Sequence, residues 1–341
     1  MSKRLKMALV GAGHMGKFHA QAIAERSDVD LVAVCDVDAE RAAQVAAASG
    51  ARVETDPRRL VGIDAAVIAA ATSVHRDVAI PLMERGVAVL IEKPVAGTAA
   101  EAREIAEAAR RSGAVAQAGH ILRFDPVTRA IAGRAVRPAF IEVSWFAPFS
   151  ARSLDVGVVM DVMIHGLDLV LWMAGEMPER VDAVGGTVVG PHEDFVSARL
   201  AFPRGCVATL AASRLSRSRQ RLLRVFSDGA YLKMDYVARA VECVTPKPGV
   251  AALLRSGKPP AGGLEELVAV EKWPVEAQPD ALRAQLASFI AAVRGEGPVA
   301  VTLDDGARAV EVAERIILGV RKGSPPSEPR PDFVKATPGR P

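Results

Sequence analysis

The sequence predicts an α/β chain: an N-terminal doubly wound parallel sheet, then an α+β unit with a large, mostly antiparallel sheet. Three observations carry this. Up to about residue 120, short continuous apolar runs alternate with helix-period segments. Strands of that kind are covered on both faces, as in parallel sheets joined by right-handed crossovers. Beyond Phe124 the pattern changes to closely spaced β-type segments, split by turn signals such as Pro203-Arg204-Gly205 and Ser227-Asp228-Gly229. Finally, 341 residues are enough for about two domains.

Met7 to Val10 reads as a buried strand, followed by a glycine loop and a helix from about Lys17 to Glu25. Leu31 to Cys35 is a second strand, and Asp38 to Ser49 an alanine-rich helix closed by Gly50. Ala65 to Ala69 is a third strand, with a helix near 76–85 ended by Gly86. Val87 to Ile91 is a fourth strand, Ala99 to Arg111 a helix ended by Gly113, and Val115 to Ala118 a fifth strand. Past Phe124 a single long helix is expected over about 157–174, then β segments at 181–189, 194–202, 206–213, 222–227, 230–236 and 239–244. The Pro- and Gly-rich stretch 245–263 reads as a loop, with helices near 280–294 and 303–321. The tail from Gly323 carries six prolines and is expected to be extended or disordered.

Composition excludes several classes. With 43 Lys and Arg against 40 Asp and Glu, the formal charge is +3, too little for a general polyanion binder. Aromatics at 4% disfavour base-stacking platforms, so no nucleic-acid partner is expected. Cys35, Cys206 and Cys243 have neither disulfide nor metal spacing, and no metal is expected. The apolar run after the basic start Ser2-Lys3-Arg4-Leu5-Lys6 is too short for a signal segment, and no run approaches membrane-spanning length. A soluble, cytoplasmic protein without membrane insertion is the expectation.

The first chemical motif is Gly11-Ala12-Gly13-His14-Met15-Gly16, directly after a strand and opening a helix. Glycines serve here to turn tightly, to admit a pyrophosphate to the backbone and to let helix pack on strand. The helix N-terminus then offers free N–H groups and a positive dipole end. Asp36 closes the second strand twenty residues after Gly16, where a carboxylate bonds the ribose hydroxyls of NAD and repels the 2′-phosphate of NADP. NAD is therefore expected over NADP, although Arg41 leaves room for the latter.

The second motif, Glu92-Lys93-Pro94, ends the fourth strand, where ligands bind in open α/β sheets. Lys93 would point at the nicotinamide region; a surface ion pair is the competing reading. The third is Asp161-Val162-Met163-Ile164-His165-Gly166-Leu167-Asp168. On a helix Asp161, His165 and Asp168 share one stripe of an otherwise apolar surface, which reads as a pocket wall. An imidazole there suits acid–base work. Metal binding and a purely structural Asp161–His165 bond are the alternatives.

Together these motifs resemble the glucose–fructose oxidoreductase / inositol dehydrogenase (Gfo/Idh/MocA) family over about residues 5–322. The resemblance implies a Rossmann domain plus an open-faced α/β domain, NAD as cofactor and hydride transfer at a sugar or cyclitol carbon. Lys93 and His165 would face the reacting hydroxyl, with Asp161 helping to hold the substrate. Association through the open sheet, as a homodimer or homotetramer, is also implied. The expected division is a Rossmann domain over 1–123, a substrate-binding and oligomerisation domain over 124–322, and the tail over 323–341.

The chain departs from the family pattern in places. Ala70-Ala71-Thr72-Ser73-Val74-His75 resembles a Thr-Pro-x-x-x-His loop with alanines in place of Thr-Pro; Thr72 and His75, with His14, Met15 and Glu92, join the expected cofactor contacts. Gly166 stands where an aspartate often follows the histidine, and Asp125 where Asn is common. Gly119-His120-x-x-Arg123-Phe124-x-Pro126, Asp155 to Asp161, Glu193-Asp194-Phe195 and Ala212-Ser213-Arg214 resemble the UDP-N-acetylglucosamine 3-dehydrogenase branch. Such enzymes oxidise the sugar 3-hydroxyl to a ketone that an aminotransferase can aminate on the way to lipid A.

His120, Arg123, Asp125 and Arg214 are the further expected substrate contacts, with capping roles competing for the first three. Arg214, Arg217, Arg219, Arg221 and Arg224 form a basic run. It reads either as a contact for a nucleotide-sugar diphosphate or as a solvated hairpin tip or oligomer surface. Two other functions remain open: a dehydrogenase of myo-inositol or a free sugar, and a non-catalytic NAD-binding sensor. Whether Lys93 or His165 accepts the proton is also open.

Overall fold

The apolar runs of the first 120 residues pair into a wholly parallel sheet of order β3-β2-β1-β4-β5-β6. The structure is a computed structural model and describes residues 4–134, 136–149, 156–256, 262–276 and 280–323. Chain order here is β1 Leu5–Val10, α1 His14–Ala24, β2 Val29–Cys35, α2 Ala39–Ala46, β3 Arg52–Glu54, β4 Ala65–Ile68, α3 His75–Glu84, β5 Ala88–Glu92, α4 Ala99–Ser112 and β6 Ala116–Gly119. Each strand is apolar on both sides because both faces are covered. Met7 and Leu9 face one buried cluster, and Ala8 and Val10 face the other.

Short polar signals set the ends. Asp38 accepts the Arg41 N–H and Thr98 the Glu101 N–H, capping α2 and α4. Gly113, at φ +68°, closes α4 in the left-handed region. The edge strand β3 was not expected. Arg-Val-Glu has no apolar run, and its place comes from pairing with β2.

After α5 Pro126–Arg129 comes β7 Pro138–Phe146, then a helix of two windings. Val159–Met163 is a π-helix and continues as α6 Ile164–Ala174. Next are β8 Arg180–Gly186, β9 Phe195–Ala201, β10 Val207–Ser213, β11 Gln220–Ser227, β12 Ala230–Asp235 and β13 Ala240–Pro246. α7 Val250–Arg255 lies within the expected loop 245–263, followed by α8 Leu264–Leu267, β14 Val268–Trp273, α9 Ala281–Val293 and α10 Leu303–Gly323. The second sheet runs β14-β13-β12-β11-β7-β10-β9-β8, antiparallel except where β10 lies parallel to β7.

β7 and β14 were missed in the sequence. β7 shows the half-buried strand pattern, with Ile141, Val143 and Trp145 inside and intervening residues outside. It is central to the sheet, and the helix 159–174 packs on its inner face through Gly166, where a Cβ would lie 2.6 Å from a Val143 methyl. That contact accounts for the glycine where an aspartate was expected.

The last helices return to the first sheet. Leu282, Leu286, Phe289 and Ile290 of α9 join the cluster of Met7 and Leu9, and α10 packs on α4 and β8. We propose 123/124 as the boundary between the two sheets, with 281–323 bridging both. The tail 324–341, Asp155 and residues 257–261 of the expected loop lie outside the described residues.

Candidate active site

The strand order reverses between β1 and β4, so a crevice opens beyond their C-terminal ends. A cleft of about 610 Å³ lies there, lined by Gly11, Gly13, Asp36, Arg41 and Ala70 among others. Each glycine has its own reason. Gly11 has φ +96°, and a Cβ on it would lie 2.4 Å from the Ala70 nitrogen. A Cβ on Gly16 would lie 1.9 Å from the Gly11 carbonyl oxygen, so α1 can approach β1 only with glycine there. Gly13, the residue before α1, has nothing within 4 Å of its would-be Cβ, an open approach to the helix N-terminus. A cradle of this shape fits a dinucleotide.

Asp36 is positioned by the same loop. It accepts the Ala12 N–H at 2.7 Å, the Asp38 N–H at 3.0 Å and the Arg41 guanidinium at 2.9 Å. Burial pushes its pKa up, but these donors outweigh it and hold the carboxyl below its usual range. Arg41 is therefore turned onto the carboxylate, which answers the room left for NADP.

The other expected cofactor residues divide. His14 is exposed and packs edge-on against Phe18; Met15 is half-buried against the α9 cluster; Thr72 sits half-buried on the turn 72–74. His75 and Glu92 have internal partners. His75 is buried between the Pro94 and Ala70 carbonyls, 3.1 Å from each. Burial lowers its pKa, so the neutral ring donates to one carbonyl only and holds the two loops together. Glu92 is buried against His19, 2.7 Å away, and accepts the Lys93 N–H at 3.3 Å. Neither side chain lines the cleft. His19 was not anticipated; its signal was a place on the buried stripe of α1 with Gly16, Ala20 and Ile23.

At the end of β5, Lys93 leaves the first sheet and meets the second unit. Its Nζ donates to the Asp161 main-chain oxygen at 2.9 Å and lies 3.5 Å from Asp161 Oδ1. Asp161 is at the centre of the π-wound segment, a distortion common at functional sites. Glu193 fixes its start: a Glu193 carboxylate oxygen accepts the Val159 N–H at 3.3 Å and lies where a Gly157 Cβ would be.

His165 follows on α6, half-buried, its Nδ1 without a partner among the described residues. Burial, then the charges of Lys93 and Arg221, hold its pKa well below 6.5, so the ring is neutral at physiological pH. The three residues of the expected stripe have separate roles: Asp161 turns to Lys93, while Asp168 is buried in a two-pronged pair with Arg123 at 2.7 and 2.8 Å. No cluster of three metal-ligating side chains occurs among the described residues.

Arg123 and Arg214, expected as substrate contacts, are each held by a buried carboxylate. Arg123 is bound to Asp168 and stacks over Trp172. Arg214 is 3% exposed, bound to Asp194 at 2.7 Å and to the Val156 carbonyl at 2.9 Å. Asp125 caps α5 through the Val127 N–H, and its pKa is raised by burial. His120 is buried with neither ring nitrogen partnered among the described residues, and burial lowers its pKa.

Residues 5–120 match the family described as "Oxidoreductase family, NAD-binding Rossmann fold", and 132–232 match the "GFO/IDH/MocA C-terminal domain". The chain belongs to the Gfo/Idh/MocA family. Its cofactor is NAD. The chain is 35% identical over 319 residues to a UDP-N-acetylglucosamine 3-dehydrogenase of Acidithiobacillus ferrooxidans, covering 93% of this chain and 97% of that one. A solved structure with that name and organism superposes with a TM-score of 0.84 at 33% identity, over 94% of this chain and 98% of the other. An inositol 2-dehydrogenase of Rubrobacter xylanophilus is 29% identical over 337 residues, 95% and 93% of the two chains. The Gfo/Idh/MocA assignment makes the Lys93–Asp161–His165 cluster the candidate catalytic centre.

Proposed function

We propose that this protein oxidises the 3-hydroxyl of UDP-N-acetylglucosamine to a ketone with NAD. The observation that carries the reading is the meeting of Lys93, at a strand end beside the dinucleotide cleft, with Asp161 on the π-wound segment and the neutral His165 behind it. Likeness to the Acidithiobacillus enzyme over nearly the whole chain supports the substrate.

The Gly11–Gly16 loop would hold the pyrophosphate of NAD and Asp36 the adenosine ribose. When bound, NAD supplies the acceptor for the hydride leaving the sugar carbon. Lys93 Nζ donates to the reacting hydroxyl oxygen, and Asp161 orients both lysine and sugar. His165, neutral, accepts the hydroxyl proton as the C–H bond breaks. His75 and Glu92 act as positioning residues: they fix the loop that carries Lys93.

The test is an NADH-absorbance assay with UDP-N-acetylglucosamine against myo-inositol. A kcat/KM at least ~10-fold higher for the UDP-sugar is expected, since anchoring a second portion of the substrate adds binding free energy. Higher efficiency on myo-inositol overturns the substrate reading. NAD binding without turnover on either would favour the sensor alternative.

Asp36→Ser gives a second prediction. It removes the ribose acceptor and frees Arg41 for a 2′-phosphate. The NAD-to-NADP ratio of kcat/KM falls at least ~10-fold, the scale of one hydrogen bond to a charged group. An unchanged ratio removes Asp36 from the ribose site.

The outer face of the second sheet carries Phe140, Phe226 and Tyr231 in ring contact, with Val184, Phe195 and Val270 exposed on strands toward its two edges. That supports a homodimer or homotetramer formed through this face. Phe226→Glu then shifts the mass by light scattering toward the monomer; an unchanged mass contradicts it. No helix among the described residues is long and apolar enough to cross a membrane. The three free, buried cysteines support a cytoplasmic setting. The ketone product suits amination toward the amino sugar of lipid A.

A further inference from the structure

The arginine run splits when followed residue by residue. Arg214 is buried against Asp194. Arg224 faces the outer side of β11, 3.2 Å from Glu142. Arg217 and Arg219 are exposed on the connection before β11. Arg221 differs from all of them. On β11 it shares a face with Leu223 and Val225, both fully buried. It pairs in register with Trp145, and its guanidinium lies 6.0 Å from that ring.

Arg221 is half-buried, yet its side chain has no hydrogen bond and no carboxylate within 4.0 Å among the described residues. Its charge is felt at His165, and the charges of Asp161, Asp125 and Arg219 are felt at Arg221. Trp145 in turn packs against Gly166, the residue after His165, so Arg221 belongs to the wall of the catalytic cluster. A half-buried guanidinium with no direct ion pair leaves its planar fork of donors free for an anion, and that fork matches phosphate oxygens. Neutral sugar hydroxyls would not supply that anion.

We propose that Arg221 binds the phosphate of the nucleotide sugar and so selects phosphorylated over free sugars. This rests on the UDP-sugar reading for its substrate, but the site is testable without turnover. Arg219, exposed two residues before Arg221, adds to the attraction.

The experiment is calorimetric titration of the NAD-loaded protein with UDP and, separately, with glucuronate, comparing wild type with Arg221→Met and with the outward-facing Arg224→Met. UDP affinity is expected to fall about 10- to 100-fold in Arg221→Met and to stay unchanged in Arg224→Met, with NAD affinity and Tm of Arg221→Met retained. In steady state, Arg221→Met raises KM for UDP-N-acetylglucosamine far more than it lowers kcat. Equal UDP affinity in wild type and Arg221→Met overturns the proposal, even if UDP-N-acetylglucosamine is oxidised. A loss confined to glucuronate overturns the phosphate assignment in favour of a sugar carboxylate. Arg221-dependent UDP binding in an enzyme that does not oxidise UDP-N-acetylglucosamine upholds the phosphate site and removes the substrate reading.

Discussion

Replacing Lys93 or His165 by alanine lowers turnover by at least ~10²-fold while NAD still binds, the usual range for losing a general acid–base group. The two variants should differ in kind. Lys93→Ala also takes away the donor that faces the Asp161 carbonyl and carboxylate, so it disturbs substrate orientation as well. His165→Ala removes only the proton acceptor. Steady-state kinetics with a parallel NAD titration check both, and near-normal turnover in either variant removes that residue from the chemistry.

A pH profile sharpens the assignment. His165 is held well below 6.5 by burial and by neighbouring positive charge. It remains a neutral proton acceptor as the medium falls through the value at which a free imidazole would charge. The acid limb of kcat/KM is therefore expected below pH 6.5, and a limb above it would contradict a neutral His165 acceptor. The same displacement carries a stability cost at low pH. Below 6.5 the unfolded chain binds the proton that the folded ring resists, so this contribution is present above 6.5 and lost as pH falls.

Asp194→Ala destabilises the fold by about 3–5 kcal/mol, the cost of leaving a buried charge without its partner. Asp194 is fully buried and accepts N–H groups from Val188, Val189 and Gly190 with one oxygen and the Arg214 guanidinium with the other. Burial opposes its ionisation, but these four donors hold the carboxyl far below the ordinary range. Removing it strands Arg214 at 3% exposure and frees a loop whose next contact, Glu193, starts the π-wound segment. Urea unfolding measures the loss; a change below about 1 kcal/mol would contradict a structural role for the pair.

The first sheet was legible because a parallel strand between two helix layers is apolar on both faces, and the glycine loop has few other uses in that context. The second sheet was legible where turns announced its hairpins. β7 escaped although Ile141, Val143 and Trp145 alternate, because its neighbours β10 and β11 come much later in the chain and no hairpin turn marks it. Lys93, Asp161 and His165 were identifiable as residue types at strand and helix positions. Their meeting depends on a π winding that side-chain spacing alone does not specify.

The arginines show the limit most clearly. Arg123 and Arg214 stand in motifs and look like ligand groups, yet each has a buried carboxylate, and nothing local announces Asp168 or Asp194 as its partner. Arg221 stood in the same run without distinction. Only the pairing of β11 with β7 decides that it faces inward.

The most direct test of the central claim is deuterium transfer. UDP-N-acetylglucosamine carrying deuterium at C3 is incubated with the enzyme and NAD, and the reduced cofactor is examined by mass spectrometry. The account predicts cofactor one mass unit heavier than that formed from unlabelled sugar, with a 3-keto sugar nucleotide beside it. Formation of unlabelled NADH from the deuterated sugar, or no NADH while myo-inositol is oxidised readily, would contradict it.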